Sequence, residues 1–349
     1  MGWNHYRSAG LIHRFAGEKT LTFPTALLDY WEKTGLFEKG DRVVLGISGG
    51  SDSVFLLHCL EKTRKKIPFS LTAAHFNHRM RGEESDRDER FTVSFCRKME
   101  VPVVVGRWDR SEGNGHPVSE EQARNRRYQF FEKACKEAGA DKLALAHTRD
   151  DDAETILFRI LRGSGLSGLR GIPYERCCGS FRILRPLKDV SRKEIREHLQ
   201  RKGISWCEDA SNQDLRYTRN RIRHHLLPLL EKEFYPNIRE ILIRLAQNAS
   251  EDYDYLQKEA EEAFPKVLLQ EGEKRIIFRR KMFQSFPLAI QKQLFRQALR
   301  RLGTDMDLIG YSSWESVAGL LRNKTFRHTL PGPLAVEGTP TKFAFLKKL

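Results

Sequence analysis

The sequence predicts an α/β protein: a parallel sheet with helices on both faces, joined to a smaller C-terminal domain that is mixed or mostly helical. Three observations carry that expectation. Between Arg42 and Arg162 short apolar runs alternate with helical patterns, and a loop rich in serine and glycine, Ser48 to Ser53, separates the first run from the first helix. Beyond about Leu215 helical patterns dominate and positive charge accumulates.

Taken in order, RVVLGIS from Arg42, a helix through Val54 to Thr63, SLTAAHF from Ser70, a charged helix from Glu84 to Met99 and VPVVVG from Val101 read as βαβαβ. A helix around Ser119 to Ala138, a strand from Lys142 to Ala146 and a helix from Asp151 to Arg162 continue the alternation. Such a sheet binds ligands at the carboxyl ends of its strands. The run GSGLSGLRGIP after Arg162 is short of helix formers and reads as a surface loop. Helices are expected over Ser191 to Lys202 and Arg219 to Phe234, with a long amphipathic helix from Asn237 to Phe264 ending at Pro265. The resulting organisation is an N-terminal extension over 1–23, a nucleotide-binding catalytic domain over 24–215, and a linker helix with a basic C-terminal domain over 216–349. In that last domain, helices near Lys281 to Leu302 and Ser312 to Leu321 accompany short strands at Arg275 to Phe278 and Lys342 to Leu346.

A chain of 349 residues is long enough for two or three domains. Its composition, 40% hydrophobic and 31% charged, is that of an ordinary globular protein, with no apolar run long enough to span a bilayer. The N-terminal stretch mixes charged and apolar residues and lacks the pattern of a secretory signal, so a cytoplasmic location is expected. No pair of the six cysteines has C-x-x-C spacing, and they are expected to be reduced, mostly buried and inert; the neighbours Cys177 and Cys178 make a poor metal site without a second cluster. Net charge is +15, and the part from Leu215 onward holds 24 basic against 15 acidic groups. That excess suits a phosphate backbone, although a solvated basic face has the same signature.

The sharpest local signal is SGGSDS. Gly49 and Gly50 let backbone amides approach an anion, the hydroxyls of Ser48, Ser51 and Ser53 can donate hydrogen bonds, and the helix that follows adds its positive end. The loop lacks the Gly-Lys-Ser/Thr ending of a Walker A motif and is not the G-x-G-x-x-G dinucleotide turn. A serine-rich tight turn is the bland alternative. Asp52 would be repelled by polyphosphate unless it served a cation, which assigns it to Mg²⁺.

A strand, SGG-x-DS and a helix resemble the pyrophosphate loop (PP-loop) of the N-type ATP pyrophosphatases, whose fold is of the adenine nucleotide α-hydrolase-like type. Further segments in the same order resemble the tRNA(Ile)-lysidine synthetase family: AHFNHRMRGEESDRDERF from Ala74, SEEQARNRRYQFF from Ser119, LALAHTRDDDAETILFRILRGSGLSGLRGI from Leu143, RPL at Arg185, WCEDASN from Trp206 and RNRIRHHLLP from Arg219. Together they cover most of residues 40–230. The resemblance implies a ligase that uses ATP and Mg²⁺ to adenylate the oxygen on carbon 2 of the wobble cytidine in a tRNA(Ile) with a CAU anticodon, releasing pyrophosphate. Free L-lysine then displaces AMP. No membrane partner is implied, and a homodimer is left open.

It also implies roles for individual residues. His75 and His78 are candidates for lining the nucleotide cleft, with His75 the preferred one, against a structural role for either. Arg124 and Arg127 share a helix face, and Arg124 is the candidate for phosphate or base contact. Asp151 and Glu154, also on one face, are implied to hold the lysine, with Glu154 joining Asp52 at the metal; Asp150 and Asp152 are explained by the helix dipole alone. Thr148 stands where many relatives have a second histidine, and Asp152 where glutamine is common. Arg219, Asn220 and Arg223 are placed either on tRNA phosphates or as pins between domains. Members of the family carry a further C-terminal domain for which this chain is short. Two other readings stand beside lysidine formation: tRNA thiolation, disfavoured by the absent C-x-x-C pair, and a silent tRNA-binding protein, disfavoured by the intact SGGSDS.

Overall fold

The computed structural model describes residues 23–80, 82–108, 120–208 and 214–347; the expected extension up to residue 22, and Ser119, lie outside the described residues. The chain divides into two compact units. One comprises Met1–Arg162 with Gly171–Arg244, and the other Gly163–Arg170 with Leu245–Leu349. The division therefore falls after Arg244, inside a helix, and not at the expected 215/216 junction. Residues 216–244 pack with the first unit because Arg219, Arg223 and Arg239 are ion-paired to its carboxylates.

In the first unit helix α1 (Thr25–Thr34) precedes the alternation of β1 (Arg42–Gly46), α2 (Ser51–Lys66), β2 (Ser70–Asn77), α3 (Glu83–Lys98), β3 (Val103–Arg107), α4 (Glu120–Glu137), β4 (Lys142–Leu145) and α5 (Arg149–Leu161). A hairpin of β5 (Glu175–Cys178) and β6 (Phe181–Leu184) follows, then α6 (Arg192–Arg201). The six strands lie in the order β3-β2-β1-β4-β6-β5, all parallel except β5, which runs antiparallel to β6.

The central strands β1 and β4 are covered on both faces, so successive residues of each are buried instead of alternating with exposed polar ones. Val43, Leu45 and Ile47 enter one core with Trp31 and Phe55, while Val44, between them, enters a second with Phe131 and Cys135 of α4. Strand order reverses between β1 and β4, so the chain segments leaving their carboxyl ends diverge around a crevice. That position brings the 48–53 loop and the start of α5 together.

After α6 a turn of α-helix (Thr218–Arg221), a π-helical turn (Ile222–Leu226) and α7 (Leu227–Glu233) replace the single expected helix. Next comes α8 (Ile238–Val267), in which Pro265 sits in the final turn and does not end the helix where expected. A proline so near the terminus removes one hydrogen bond without leaving a long helical stretch beyond it to distort.

The second unit is mixed, not mostly helical. A five-stranded antiparallel sheet in the order β7-β8-β11-β10-β9 is formed by β7 (Leu268–Gly272), β8 (Arg275–Arg279), β9 (Phe326–Leu330), β10 (Leu334–Gly338) and β11 (Lys342–Lys347). Helices α9 (Arg280–Ser285), α10 (Leu288–Arg301) and α11 (Tyr311–Leu320) complete it, with Pro287 separating the first two. Phe264, Phe278, Phe283, Phe295, Phe343 and Phe345 form its core. Only β8 and β11 were legible in the sequence, since the others are five-residue segments that mix charge with apolar residues. No helix among the described residues is long and apolar enough to cross a membrane.

Candidate active site

The loop after β1 is wound by its own side chains. Ser53 Oγ accepts from the Ser48 N–H at 3.2 Å and donates to the Gly50 carbonyl at 3.0 Å, and Ser48 Oγ accepts from the Gly50 N–H at 3.4 Å. Two of the three predicted serine hydroxyls thus shape the loop. Ser51 Oγ instead donates to Asp52 Oδ1 at 3.0 Å. Gly49 has φ +88°, and a Cβ there would lie 2.6 Å from Thr92 Oγ1, so only glycine fits. The Gly49 carbonyl accepts from the Cys207 N–H at 2.9 Å, which lets Cys207 brace the loop. No side chain caps α2 at Gly50 among the described residues, and a helix leaves its first N–H groups without internal partners. Those amides suit the phosphates of ATP.

Opposite stands the start of α5. Thr148 and Asp151 form a reciprocal capping box: Thr148 Oγ1 accepts from the Asp151 N–H, while Asp151 Oδ2 accepts from the Thr148 N–H at 2.8 Å. Thr148 thereby fixes Asp151 in place. Asp151 Oδ1 and both oxygens of Glu154, which is wholly buried, face three arginines. Arg192 of α6 donates to Asp151 Oδ1, to Glu154 Oε1 at 2.7 Å and, from Nε, to Asp52 Oδ2 at 3.3 Å. Arg223 donates to Glu154 Oε1 at 2.7 Å and Oε2 at 2.9 Å, and Arg219 reaches Asp151 at 3.2 Å and Glu154 at 3.3 Å.

The electrostatics follow from this cage. Burial pushes the Asp151 carboxyl up, but Arg192, Arg219 and the Thr148 N–H override it and hold the group well below the usual carboxylate range. Glu154 behaves alike: burial raises its pKa, Arg192 and the bond from Arg223 outweigh it, and the net shift is downward. Asp52 goes the other way, because burial and the Asp151 charge exceed the help of a single guanidinium. Arg192, although buried, is held more firmly protonated by Asp151, Glu154 and Asp52.

Some expectations land elsewhere. Asp52, Asp151 and Glu154 converge, but through Arg192; among the described residues no three histidine, cysteine or carboxylate side chains form a metal-holding cluster. Arg219 and Arg223, expected on tRNA phosphates or as pins between domains, turn their guanidiniums to Asp151 and Glu154 and so fasten residues 218–226 to α5 within the first unit. Asn220 Nδ2 donates to the Asp214 carbonyl at 2.9 Å and closes a turn. His75 is buried, its Nδ1 is 2.9 Å from the Ile47 carbonyl, and burial lowers its pKa, so it is a neutral ring tied to β1. Arg124 is exposed and stacks 4.9 Å above Tyr128. Asp150 and Asp152 do more than complement a dipole. Asp152 accepts from the Ile172 N–H at 2.5 Å and pairs with Lys188 at 3.2 Å, and Asp150 accepts from the Arg192 N–H at 2.8 Å. Among the cysteines, Cys59, Cys96 and Cys135 are buried, but Cys177 is exposed and Cys178 and Cys207 are half-buried.

Two residues of the site escaped sequence reasoning. Arg192 lies in SRKEI, which reads only as a helix start. His147, at the end of β4, has its pKa lowered to about 3 by burial, with Arg185, Arg219 and Arg124 opposing a positive charge, and its Nδ1 is buried without a hydrogen-bond partner among the described residues. The one available signal was its place in the segment LALAHTRDDDAET.

Comparison with known proteins fits this geometry. Residues 22–230 match the family described as the PP-loop domain. The chain is 33% identical over 317 residues to a protein of Chlorobaculum tepidum named tRNA(Ile)-lysidine synthase, covering 89% of this chain and 92% of that one. A protein of the same name from Clostridioides difficile is 34% identical over 308 residues, covering 86% of this chain and 65% of its own length. Against a Clostridium perfringens relative the chain spans 53% of the other's length, so it is shorter than the clostridial proteins it matches. Among solved structures, the U34-tRNA thiolase NcsA from Methanococcus maripaludis superposes with a TM-score of 0.54 at 17% identity, over 64% of this chain and 77% of the other, a likeness of fold alone. With SGGSDS at the carboxyl end of β1 and the acidic start of α5 facing it, the chain belongs to the PP-loop family and, within it, to the tRNA(Ile)-lysidine synthases.

Proposed function

We propose that this protein makes lysidine: it adenylates the oxygen on carbon 2 of the wobble cytidine of a CAU-anticodon tRNA(Ile), then joins the ε-amine of free lysine to that carbon with release of AMP. The observation that carries the reading is the pairing, across one crevice, of an uncapped helix start, whose free amides suit phosphates, with two buried carboxylates held in the charged form by arginines. The first element suits ATP. The second suits a cationic substrate, because Asp151 and Glu154 remain charged under burial only while cations surround them.

This chain's residues divide the work accordingly. Backbone amides at the start of α2 hold the pyrophosphate end of ATP, and glycine at 49, where a Cβ would collide with Thr92, lets the loop take the turn that leads into them. Asp52, beside that loop, would hold Mg²⁺ together with phosphate oxygens, an arrangement that needs only one or two protein carboxylates, and the ion would neutralise the leaving pyrophosphate. Glu154 joins the metal only if Arg192 releases it. Asp151 and Glu154 orient the ammonium group of lysine by taking its charge in exchange for part of the arginine cage. Arg124, on its stacked perch, meets phosphate or base. The basic second unit extends the surface toward the tRNA, and the reaction belongs in the cytoplasm where tRNA and ATP are found.

Release of pyrophosphate that requires tRNA but not lysine, followed by lysine-dependent release of AMP, tests the two steps. AMP release without any tRNA requirement would overturn the reading. A thiolase would instead need sulfur carried by cysteines, and the six here hold no C-x-x-C pair.

A further inference from the structure

A cavity of about 380 Å³ in the first unit shares Arg192 and Arg223 with the carboxylate cage. Arg192, Lys193, Arg196, Arg223, His224 and Arg239 line it, with Asp150 and Glu197 as the only acidic groups of the lining. Many of these charges are already spent. Arg192 and Arg223 direct their guanidiniums into the cage. Arg239 is braced by Asp150 at 3.1 Å and Glu231 at 2.7 Å, while Asp150 also accepts from the Arg192 N–H. What remains unspent is Lys193, whose contact with Glu197 is a loose 4.0 Å, and Arg196, which is exposed and has no ion-pair partner among the described residues.

The cavity is therefore a cationic hollow whose inner wall is fixed and whose rim is free. The Lys193 side chain is 85% exposed, so the unspent charge stands at the mouth and not at the bottom. Long, solvated cations at a mouth follow a polymer that passes over it; a small enclosed anion would be met by charges at the bottom, and those are satisfied. The Arg192 and Arg223 wall is shared with the site where the base would react.

We propose that this cavity takes a phosphodiester group of the RNA strand next to the nucleotide being modified, with Lys193 and Arg196 as its contacts. The inference rests on the tRNA-modifying function proposed above. It adds a positioning subsite: a base entering the carboxylate side has its neighbouring phosphate held beside the same arginine wall. A free phosphate chemistry, that of the pyrophosphate product, is the other source of the same ligand group.

The test is binding of a CAU-anticodon tRNA(Ile) transcript to the full chain over a series of KCl concentrations. Each lost phosphate contact should flatten the slope of log K against log salt by about 0.7 to 0.9, so Lys193→Gln/Arg196→Gln should flatten it by about 1.4 to 1.8 and weaken binding about tenfold at low salt. The control is Lys65→Gln/Lys66→Gln, which removes equal charge from the far end of α2, where the slope should stay that of the wild type. ATP binding and the melting temperature, measured on both variants, report folding. An unchanged slope in the Lys193/Arg196 variant, or an equal change in the control, overturns the subsite. So does a variant that loses product inhibition by pyrophosphate while its tRNA affinity stays intact, which gives the cavity to the product. Lysidine formation by the wild type is scored separately, so failure of the proposed reaction is not mistaken for failure of the subsite.

Discussion

Arg192 Nη1 donates to Glu154 Oε1 at 2.7 Å, joining a half-buried guanidinium to a carboxylate with no solvent exposure across 38 residues of sequence. The same guanidinium also reaches Asp151 and Asp52, so one side chain balances the site's three carboxylates. Removing it leaves buried charge behind. Arg192→Met should destabilise the first unit by about 3 kcal/mol, the low end for a broken buried pair because Arg219 and Arg223 remain. Urea unfolding checks this, and a change within about 0.5 kcal/mol, the range of an ordinary surface substitution, would mean the cage is held by the other two arginines.

Asp52 is the reverse case, since its pKa is raised by burial and by Asp151. A carboxyl with a raised folded pKa costs stability as pH climbs past its unfolded value of about 4, and in full once pH exceeds the folded one, because the ionised form is the poorer fit. Asp52→Asn is therefore expected to melt at the same or a higher temperature than the wild type at pH 7 while failing to form AMP. A folded variant that still releases AMP at the wild-type rate would remove Asp52 from the ATP chemistry.

Glu154→Gln probes the amino-acid side. If the carboxylate orients lysine, one charge-assisted bond of about 1.5 to 3 kcal/mol is lost and the lysine requirement rises about tenfold or more. Adenylated-tRNA formation and lysine transfer are measured separately over a range of lysine concentrations. Equal loss in both steps with an unchanged lysine dependence would move Glu154 to the metal.

The pairing of His58 with His198 sets an acid limit. Their rings lie 6.1 Å apart between α2 and α6, both Nε2 atoms are buried without a hydrogen-bond partner among the described residues, and burial followed by Lys62 lowers both pKa values, that of His58 to about 4. The unfolded chain takes up these protons near pH 6.5 and the folded one does not, so stability falls as pH drops from about 6.5 toward 4. The depressed Asp151 and Glu154 contribute a separate loss, beginning only below about pH 4. His58→Gln should reduce the loss across the first window in a pH series of thermal melts, to which His75, His147 and His198 also contribute, and leave the second in place; an unchanged first window would remove His58 from it.

The parallel sheet and its ligand edge were legible because β1 to β4 are apolar runs with clear helical partners between them. The hairpin of β5 and β6 was not, since Cys177, Cys178 and Gly179 interrupt any strand pattern. SGGSDS stood out as a polar loop where an anion site was expected, whereas Asp151 and Glu154 were separated from the helix-dipole acids beside them only by the family resemblance. Arg192 was invisible for a physical reason: its partners lie 38 to 140 residues away, and nothing local distinguishes it from Lys193 on the same helix. Arg219 and Arg223 were seen, as tRNA contacts or as pins between domains, but their partners Asp151 and Glu154 were not, because a sequence shows the charge of an arginine and not the buried carboxylate that claims it.

The most direct measurement is nucleoside analysis of a CAU-anticodon tRNA(Ile) after incubation with this protein, ATP, Mg²⁺ and isotopically labelled lysine. The account predicts label in one modified cytidine at the wobble position, with one AMP released for each lysine joined. AMP release with unmodified cytidine, or a modified nucleoside that carries no lysine label, would contradict it.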